Sequence, residues 1–406
     1  MIFNAAFRDD MLSTIDFKTA GWGISMTLCQ SKHGRLDAGP GAKDRSSPPP
    51  SMEEVVTRGY VTVGSPVGHR ESYVETLSGV TGLTRLIEPR GVSTLRTLLA
   101  ADSVLFATLE DDTAFFFVVA ILRAVLGRRT VAIFMSPRLC FIGGFIKTTV
   151  RRYAFRLFKR LRSVTLLSIL PFYLDQRFAS VADDWIYDPQ FWDFDKRIEN
   201  ADWPDSALAQ DVKRQSHGRP ILLFLGGPSF FKGFPFMAEI LRTAPAITDQ
   251  LMIVVAGKVP EDQRRSAKLV SEAGGLVIDR YLTDDEVVSA KRCATCLWAC
   301  YHPSYDSSSG LFGRAIQLRK QVIVRQGSYV DIIASHLKYP VHRCAFDDVE
   351  EGVALLKKIG QGEALPQSDD IAMTCRDQSV ARLRAALENR DNDFAEATSG
   401  KAEPHR

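Results

Sequence analysis

The chain has 406 residues, 45% of them hydrophobic and 24% charged, enough for two core-bearing domains with tails. Its 51 Lys and Arg nearly balance 48 Asp and Glu, for a net charge of +3, so a generally basic nucleic-acid binder is not indicated. The most apolar run, Ala114 to Leu122, is closed by Arg123 and is too short to span a bilayer.

Residues 1–57 read as a flexible tail. Arg8, Asp9 and Asp10 break the charged-then-apolar order of a secretory signal, Ala38 to Ser51 is dense in Gly, Pro and Ser, and Pro48-Pro49-Pro50 reads as a stiff linker. A first domain is expected over 58–200. Strand patterns at Tyr60–Val63, Leu86-Ile87, Ser103–Ala107 and Thr130–Met135 alternate with helical ones through Tyr73 and Leu77, to Ala100, and from Asp112 to Leu126. That alternation means βαβ units and a parallel sheet. Asp111 or Asp112 with Thr113 is expected to cap the third helix. His69, on the loop after the first strand, could meet an acceptor hydroxyl or move a proton across an interdomain cleft; an exposed loop histidine is the plain alternative.

Residues 145–162 form a basic amphipathic helix. Ile146, Val150, Tyr153, Ala154, Leu157, Phe158 and Leu161 make one apolar stripe, and the seven Lys and Arg of this stretch are joined by no acidic residue. The stripe is expected on the sheet, with the cations available to the headgroups of an anionic membrane face. A further strand follows at Val164–Ile169, then an irregular region, and a linker is expected over 201–218.

The second domain, 219–365, carries two strand-to-helix turns. Ile221–Leu225 runs into Gly226-Gly227-Pro228-Ser229-Phe230-Phe231-Lys232-Gly233, and Leu297–Ala299 leads to Tyr305-Asp306-Ser307-Ser308-Ser309-Gly310 and a helix from Leu311 to Leu318. Free N–H groups and the helix dipole at such turns favour an anion. In a parallel sheet both turns lie at the carboxyl ends of their strands, so a diphosphate held between the two turns and Lys232 is expected. Lys258 after the next strand could neutralise a phosphate or be a surface lysine. Thr283 and Glu286 form a capping box. Seven cysteines include Cys293, Cys296 and Cys300; with no second pair at zinc spacing, they read as buried thiols in a reducing cytosol, with no metal. Residues 366–406 are expected to be a helix from Ile371 to Glu388, crossing back to the first domain, and a tail.

The order Gly226, Lys232-Gly233, Ala256-Gly257-Lys258, Asp279-Arg280-Tyr281-Leu282-Thr283, Pro303 to Arg314, then Gln321 to Val324 resembles the donor-binding half of GT-B glycosyltransferases, and by pattern the retaining nucleotide-sugar transferases of family 4. The likeness covers residues 221–328 and is weak before Asn200. It implies an α/β fold of two doubly wound Rossmann-like domains facing each other across a cleft. It also implies transfer of a sugar from a nucleotide-diphosphate donor to a carbohydrate acceptor, which could be a lipid-linked polysaccharide precursor. The thiols and the basic helix 145–162 add the expectation of a cytoplasmic protein that could lie on the inner face of the plasma membrane.

By that resemblance Asp306 would hold sugar hydroxyls and Lys232 would act on the leaving diphosphate. Gly226, Gly227, Ser307, Ser308, Ser309 and Gly310 would cradle it, and Tyr281 would lie beside the base. No cofactor is required, and the Asp-x-Asp pairs Asp193/Asp195 and Asp391/Asp393 are not at strand ends where a metal clamp would sit. Two positions depart from the family: its second acidic residue is Arg314 here, and the arginine after its first glycine is Gly227 here. Arg314 is expected to supply the guanidinium that position 227 lacks. These departures give weight to a second reading, a catalytically silent partner subunit that binds nucleotide or glycan; a nucleotide-sugar epimerase of the same architecture is a third.

Overall fold

Val104-Leu105-Phe106 and Ile253-Val254-Val255 are apolar at every position, the pattern of parallel strands covered on both faces. The computed structural model describes residues 59–65, 69–193, 204–366 and 370–388. The expected tails, the proline run, Asp195, Asp391, Asp393 and part of the linker lie outside the described residues.

In the first sheet the strands are β1 (Gly59–Thr62), β2 (Thr84–Leu86), β3 (Ser103–Phe106), β4 (Arg129–Phe134), β5 (Val164–Ser168) and β6 (Asp184–Trp185). They run in the order β2-β1-β3-β4-β5-β6, with every pair parallel. The second sheet holds β7 (Ile221–Leu225), β8 (Met252–Ala256), β9 (Leu276–Ile278), β10 (Cys296–Ala299), β11 (Gln321–Arg325) and β12 (His342–Cys344). Its order is β12-β11-β10-β7-β8-β9, again all parallel. Each sheet reverses its direction of growth once, between β1 and β3 and between β7 and β10.

Alternate residues of each strand serve different cores. Val104, Phe106, Ala132, Phe134 and Leu166 pack with α2 (Val92–Ala100), α3 (Thr113–Val125) and α4 (Phe145–Phe158). Val61, Leu105, Val131, Ile133 and Leu167 pack on the other face with α1 (His69–Thr81). In the second domain Leu222, Phe224, Ile253, Val255 and Trp298 meet α6 (Phe234–Thr243), α7 (Arg264–Glu272) and α11 (Val349–Gly360). The opposite face, through Leu223, Val254, Leu297 and Val322, meets α5 (Ala207–Ser216), α8 (Asp284–Cys293), α9 (Gly310–Leu318) and α10 (Tyr329–His336). The capping box of α8 forms, with Thr283 accepting from the Glu286 N–H and Glu286 from the Thr283 N–H. Cys296 and Cys300 are buried free thiols and Cys293 a half-buried one.

The core around α1 continues into the second domain, where Phe191 meets Phe312 edge-on at 5.6 Å. The last described helix, α12 (Ile371–Glu388), lies against the first domain. Ser379 Oγ accepts the Tyr187 N–H at 3.1 Å, Arg129 donates to the Ala386 carbonyl at 2.8 Å, and the Arg382 guanidinium lies 3.7 Å from the Trp185 ring centre.

Two local expectations are corrected. Neither Asp111 nor Asp112 caps α3 with its side chain; the carboxylates pair with Arg70 at 2.6 Å and Arg90 at 2.5 Å instead. A guanidinium within reach competes better for a carboxylate than one backbone N–H does. In α4 the side turned to the sheet is Thr148, Phe155 and Phe158, while Ile146, Val150, Tyr153 and Leu157 of the expected inward stripe are exposed. Phe155 is the reason: its ring packs against Phe134 of β4 at 4.6 Å and Phe117 of α3 at 5.6 Å, and aromatic rings bury more area than the aliphatic stripe offers.

Candidate functional site

Loops that leave a parallel sheet at the point where its strand order reverses diverge and open a crevice at the strand ends. In the second sheet those loops are Gly226–Gly233, after β7, and Cys300–Ser309, after β10. They are tied to each other: the His302 N–H donates to the Phe231 carbonyl at 3.0 Å and the Trp298 indole N–H to the Lys232 carbonyl at 3.2 Å.

Gly226 has φ +84°, and a Cβ there would lie 2.8 Å from Lys232 Nζ, so the ammonium folds back over the first glycine of its own loop. Gly227 is pinned from the other side: a Cβ on Gly257, itself at φ +148°, would come within 2.9 Å of its N and 2.5 Å of the Gly226 carbonyl carbon. Gly226, Gly227 and Lys232 are therefore brought together. Lys232 is partly exposed, but desolvation pushes its pKa down to about 8. An anion beside such a group restores the charge that burial disfavours.

On the opposite loop, Asp306 pairs with Arg325 at 2.6 Å, and Arg325 also donates to the Tyr301 carbonyl at 3.1 Å. Arg138, which follows β4 of the first domain, donates to the Asp306 carbonyl at 2.9 Å and the Ser304 carbonyl at 3.3 Å. The three serines differ. Ser309 caps α9 by accepting from the Phe312 N–H at 3.2 Å and shares a 2.9 Å hydrogen bond with the Tyr301 hydroxyl. Ser308 donates to Asp188 at 2.7 Å, and Asp188 also accepts from the Tyr73 hydroxyl at 2.6 Å. Ser307 is half-buried beside them. Gly310 packs directly on the Gln190 side chain, where a Cβ would overlap the amide.

Arg314 turns to the first domain's closing segment, where both guanidinium nitrogens meet the carboxylate of Asp193, one of them at 2.7 Å, with side chains only 12% and 5% exposed. Lys258 is exposed and lies 3.1 Å from Asp279, whose carboxylate is held below its ordinary range by the Val259 N–H first and by Lys258 second. Tyr281 is 61% exposed and follows β9, the outermost strand on its side of the sheet. His69 is the first residue of α1, and its side chain lies outside the described atoms.

Reading the sequence assigns no site role to Arg138, Asp188, Gln190, Asp193 or Arg325. The cross-domain partners of Arg138, Asp188 and Asp193 and the Tyr73 partner of Gln190 lie more than a hundred residues away along the chain; Asp188 carries only the local signal of a cap before Pro189, accepting the Gln190 N–H at 3.0 Å. Glu110, which the sequence shows only as one of three acids at a strand end that helix capping could explain, stands at the first sheet's own reversal point. Its Oε1 accepts the Ser136 N–H, its Oε2 is buried without a hydrogen-bond partner, and burial pushes its pKa up to about 7. Among the described residues no group of three or more His, Cys, Asp or Glu is placed to hold a metal ion.

No family model matches the sequence, and no curated protein matches it. Solved structures do. Anabaena Alr3699/HepE in complex with UDP and glucose aligns with TM-score 0.54 at 13% identity, over 85% of this chain and 100% of that one. A UDP-forming α,α-trehalose-phosphate synthase from Burkholderia xenovorans aligns with TM-score 0.55 at 10% identity, over 83% and 100%. The trehalose-6-phosphate synthase OtsA gives 0.51 at 10%, over 86% and 100%. Two doubly wound domains, matched over the full length of these structures, give the chain the GT-B fold.

Proposed function

We propose that the chain is a glycosyltransferase that takes a sugar from a nucleotide-diphosphate donor and passes it to a hydroxyl of a carbohydrate acceptor. The observation that carries this reading is the Lys232 ammonium folded over Gly226 at the reversal point of the second sheet. One of the similar structures holds UDP and another is a UDP-forming synthase, which makes UDP-sugars the first donors to try.

When the anomeric carbon–oxygen bond breaks, negative charge builds on the leaving diphosphate and the sugar takes oxocarbenium character. Fixed positive charge and N–H donors at the diphosphate lower that barrier. Lys232 and the backbone of Gly226 and Gly227 fill this role from one loop, and Ser307 and the start of α9 from the other. Asp306, with its charge shared by Arg325, would hold sugar hydroxyls. Tyr281, after β9, and Lys258, after β8, would lie beside the nucleoside. Arg314 reaches a diphosphate only by leaving Asp193, so its resting role is the seam between domains, with any diphosphate contact reserved for the donor-bound state. His69, at the start of α1, is left to the acceptor side. Retention of configuration, metal independence, a polysaccharide-precursor acceptor and a cytoplasmic setting complete the proposal.

A second reading, the silent nucleotide- or glycan-binding subunit, is favoured by one specific observation: Arg314, standing where the resembled family has an acid, is already engaged by Asp193. Incubation of the full chain and of Lys232→Ala with radiolabelled nucleotide sugars separates the readings. The transferase predicts slow release or transfer of one sugar, lost in the variant. Binding without turnover supports the silent subunit, and epimer formation supports an epimerase.

A further inference from the structure

A helix on a sheet normally turns its apolar side inward and its polar side to water. On α3 the inward side is Phe116, Val119 and Ala120, yet Val118, Ile121, Leu122 and Val125, spaced i, i+3, i+4, i+7, are exposed, Val125 by 82%. On α4 the exposed residues Ile146, Val150, Tyr153 and Leu157, spaced i, i+4, i+7, i+11, form a second outward stripe, opened by Phe145 at 82% and Ile146 at 77% exposure. The helices are neighbours, since Phe117 of α3 stacks on Phe158 of α4 with centres 4.3 Å apart. Single exposed apolar residues are ordinary, but two stripes on adjoining helices make a patch that calls for a partner.

Charge narrows the partner. The 62 residues from Thr113 to Leu174 contain eleven Lys and Arg and no Asp or Glu. Arg156, Arg160 and Arg162 at the end of α4 are exposed, and Arg151 and Arg152 are half-buried along it. A second copy of this chain would bring the same cationic surface against itself, a like-charge juxtaposition that opposes association. A surface that is apolar on its outside and rimmed by cations, with no acid on either helix, fits the boundary between headgroups and acyl chains in an anionic bilayer.

We infer that the outward faces of α3 and α4 form a docking surface for an anionic membrane leaflet. The apolar stripes enter the interface and the arginines meet lipid phosphates. No helix among the described residues is long and apolar enough to cross a membrane, so the contact is one of lying on the surface. The inference does not depend on the donor chemistry, because the surface lies on the first domain and shares no residue with the crevice of the second sheet.

Flotation of the full chain with phosphatidylcholine vesicles, with and without phosphatidylglycerol, tests it. The expected result is at least about tenfold stronger partitioning onto the anionic vesicles, weakened by high salt. Arg156→Glu/Arg160→Glu and, separately, Ile146→Ser/Tyr153→Ser should each lower partitioning about tenfold without changing the thermal midpoint or UDP binding. All four positions are exposed, so the fold should survive. No flotation, equal flotation on neutral vesicles, or unchanged flotation of both variants would overturn the inference. So would a dimer in solution that either variant dissolves.

Discussion

Lys232 carries most of the electrostatic weight of the proposed site, and its depressed pKa makes a prediction of its own. With the value near 8 in the free protein, roughly half of these side chains are neutral at that pH, and an adjacent diphosphate should draw the proton back. Binding of a UDP-sugar near pH 8 should therefore take up about half a proton, an uptake that vanishes below about pH 6.5. Calorimetry in buffers of different ionisation enthalpy reads this directly, and uptake unchanged in Lys232→Met would assign the proton elsewhere. Glu110 gives the opposite sign in the fold itself. Its carboxyl is held near 7 when folded and falls to its ordinary 4.5 when unfolded, so the folded state binds this proton more tightly. That contribution is complete below about 4.5 and is lost as pH rises to 7, a decline on the order of 3 kcal/mol. Glu110→Gln should flatten the dependence of the thermal midpoint on pH across that window. A variant with the wild-type slope would exclude Glu110 as its source. Neither shift is legible in sequence, because each depends on desolvation by residues from other elements.

At the scale of single elements, the parallel strands and both glycine-bearing turns could be read directly, since continuous apolar runs bounded by glycine have few other solutions. The orientation of α4 could not. A helical wheel weighs Ile146, Val150 and Leu157 as heavily as Phe155, but the sheet below offers aromatic partners, Phe134 and Phe117, and the rings decide which side turns in. Phe155→Ala should cost about 3 kcal/mol, whereas Ile146→Ser should change stability by less than about 0.5 kcal/mol. Chemical denaturation of the two variants checks this, and a reversed ranking would restore the inward aliphatic stripe. The caps divide for a related reason: the Thr283 box reads correctly because it closes with a residue three positions away, while Asp111 and Asp112 answer to Arg70 and Arg90, which no local pattern reveals.

Across the whole molecule, the two domains meet along a polar seam. Asp193 holds Arg314, Asp188 holds Ser308, and Arg138 holds the carbonyls of Ser304 and Asp306. Each contact joins residues far apart in the chain, which is why the sequence shows the pieces of the crevice and not the groups that brace it. Removing one partner of a mostly buried ion pair leaves the other charge stranded, so Asp193→Ala should destabilise the protein by about 3 kcal/mol, and Asp193→Leu/Arg314→Met should recover most of that loss. A shift in the thermal midpoint reports both; an Asp193→Ala protein as stable as the parent would mean that the seam contributes little.

The central claim is that a nucleotide diphosphate lies where the Gly226–Gly233 loop meets the Ser307–Gly310 turn. A crystal structure of the full chain soaked with UDP tests it most directly. The account predicts a phosphate oxygen within about 3 Å of Lys232 Nζ, over the Gly226-Gly227 backbone. A nucleotide bound elsewhere, or a lysine turned away from its phosphates, would contradict it.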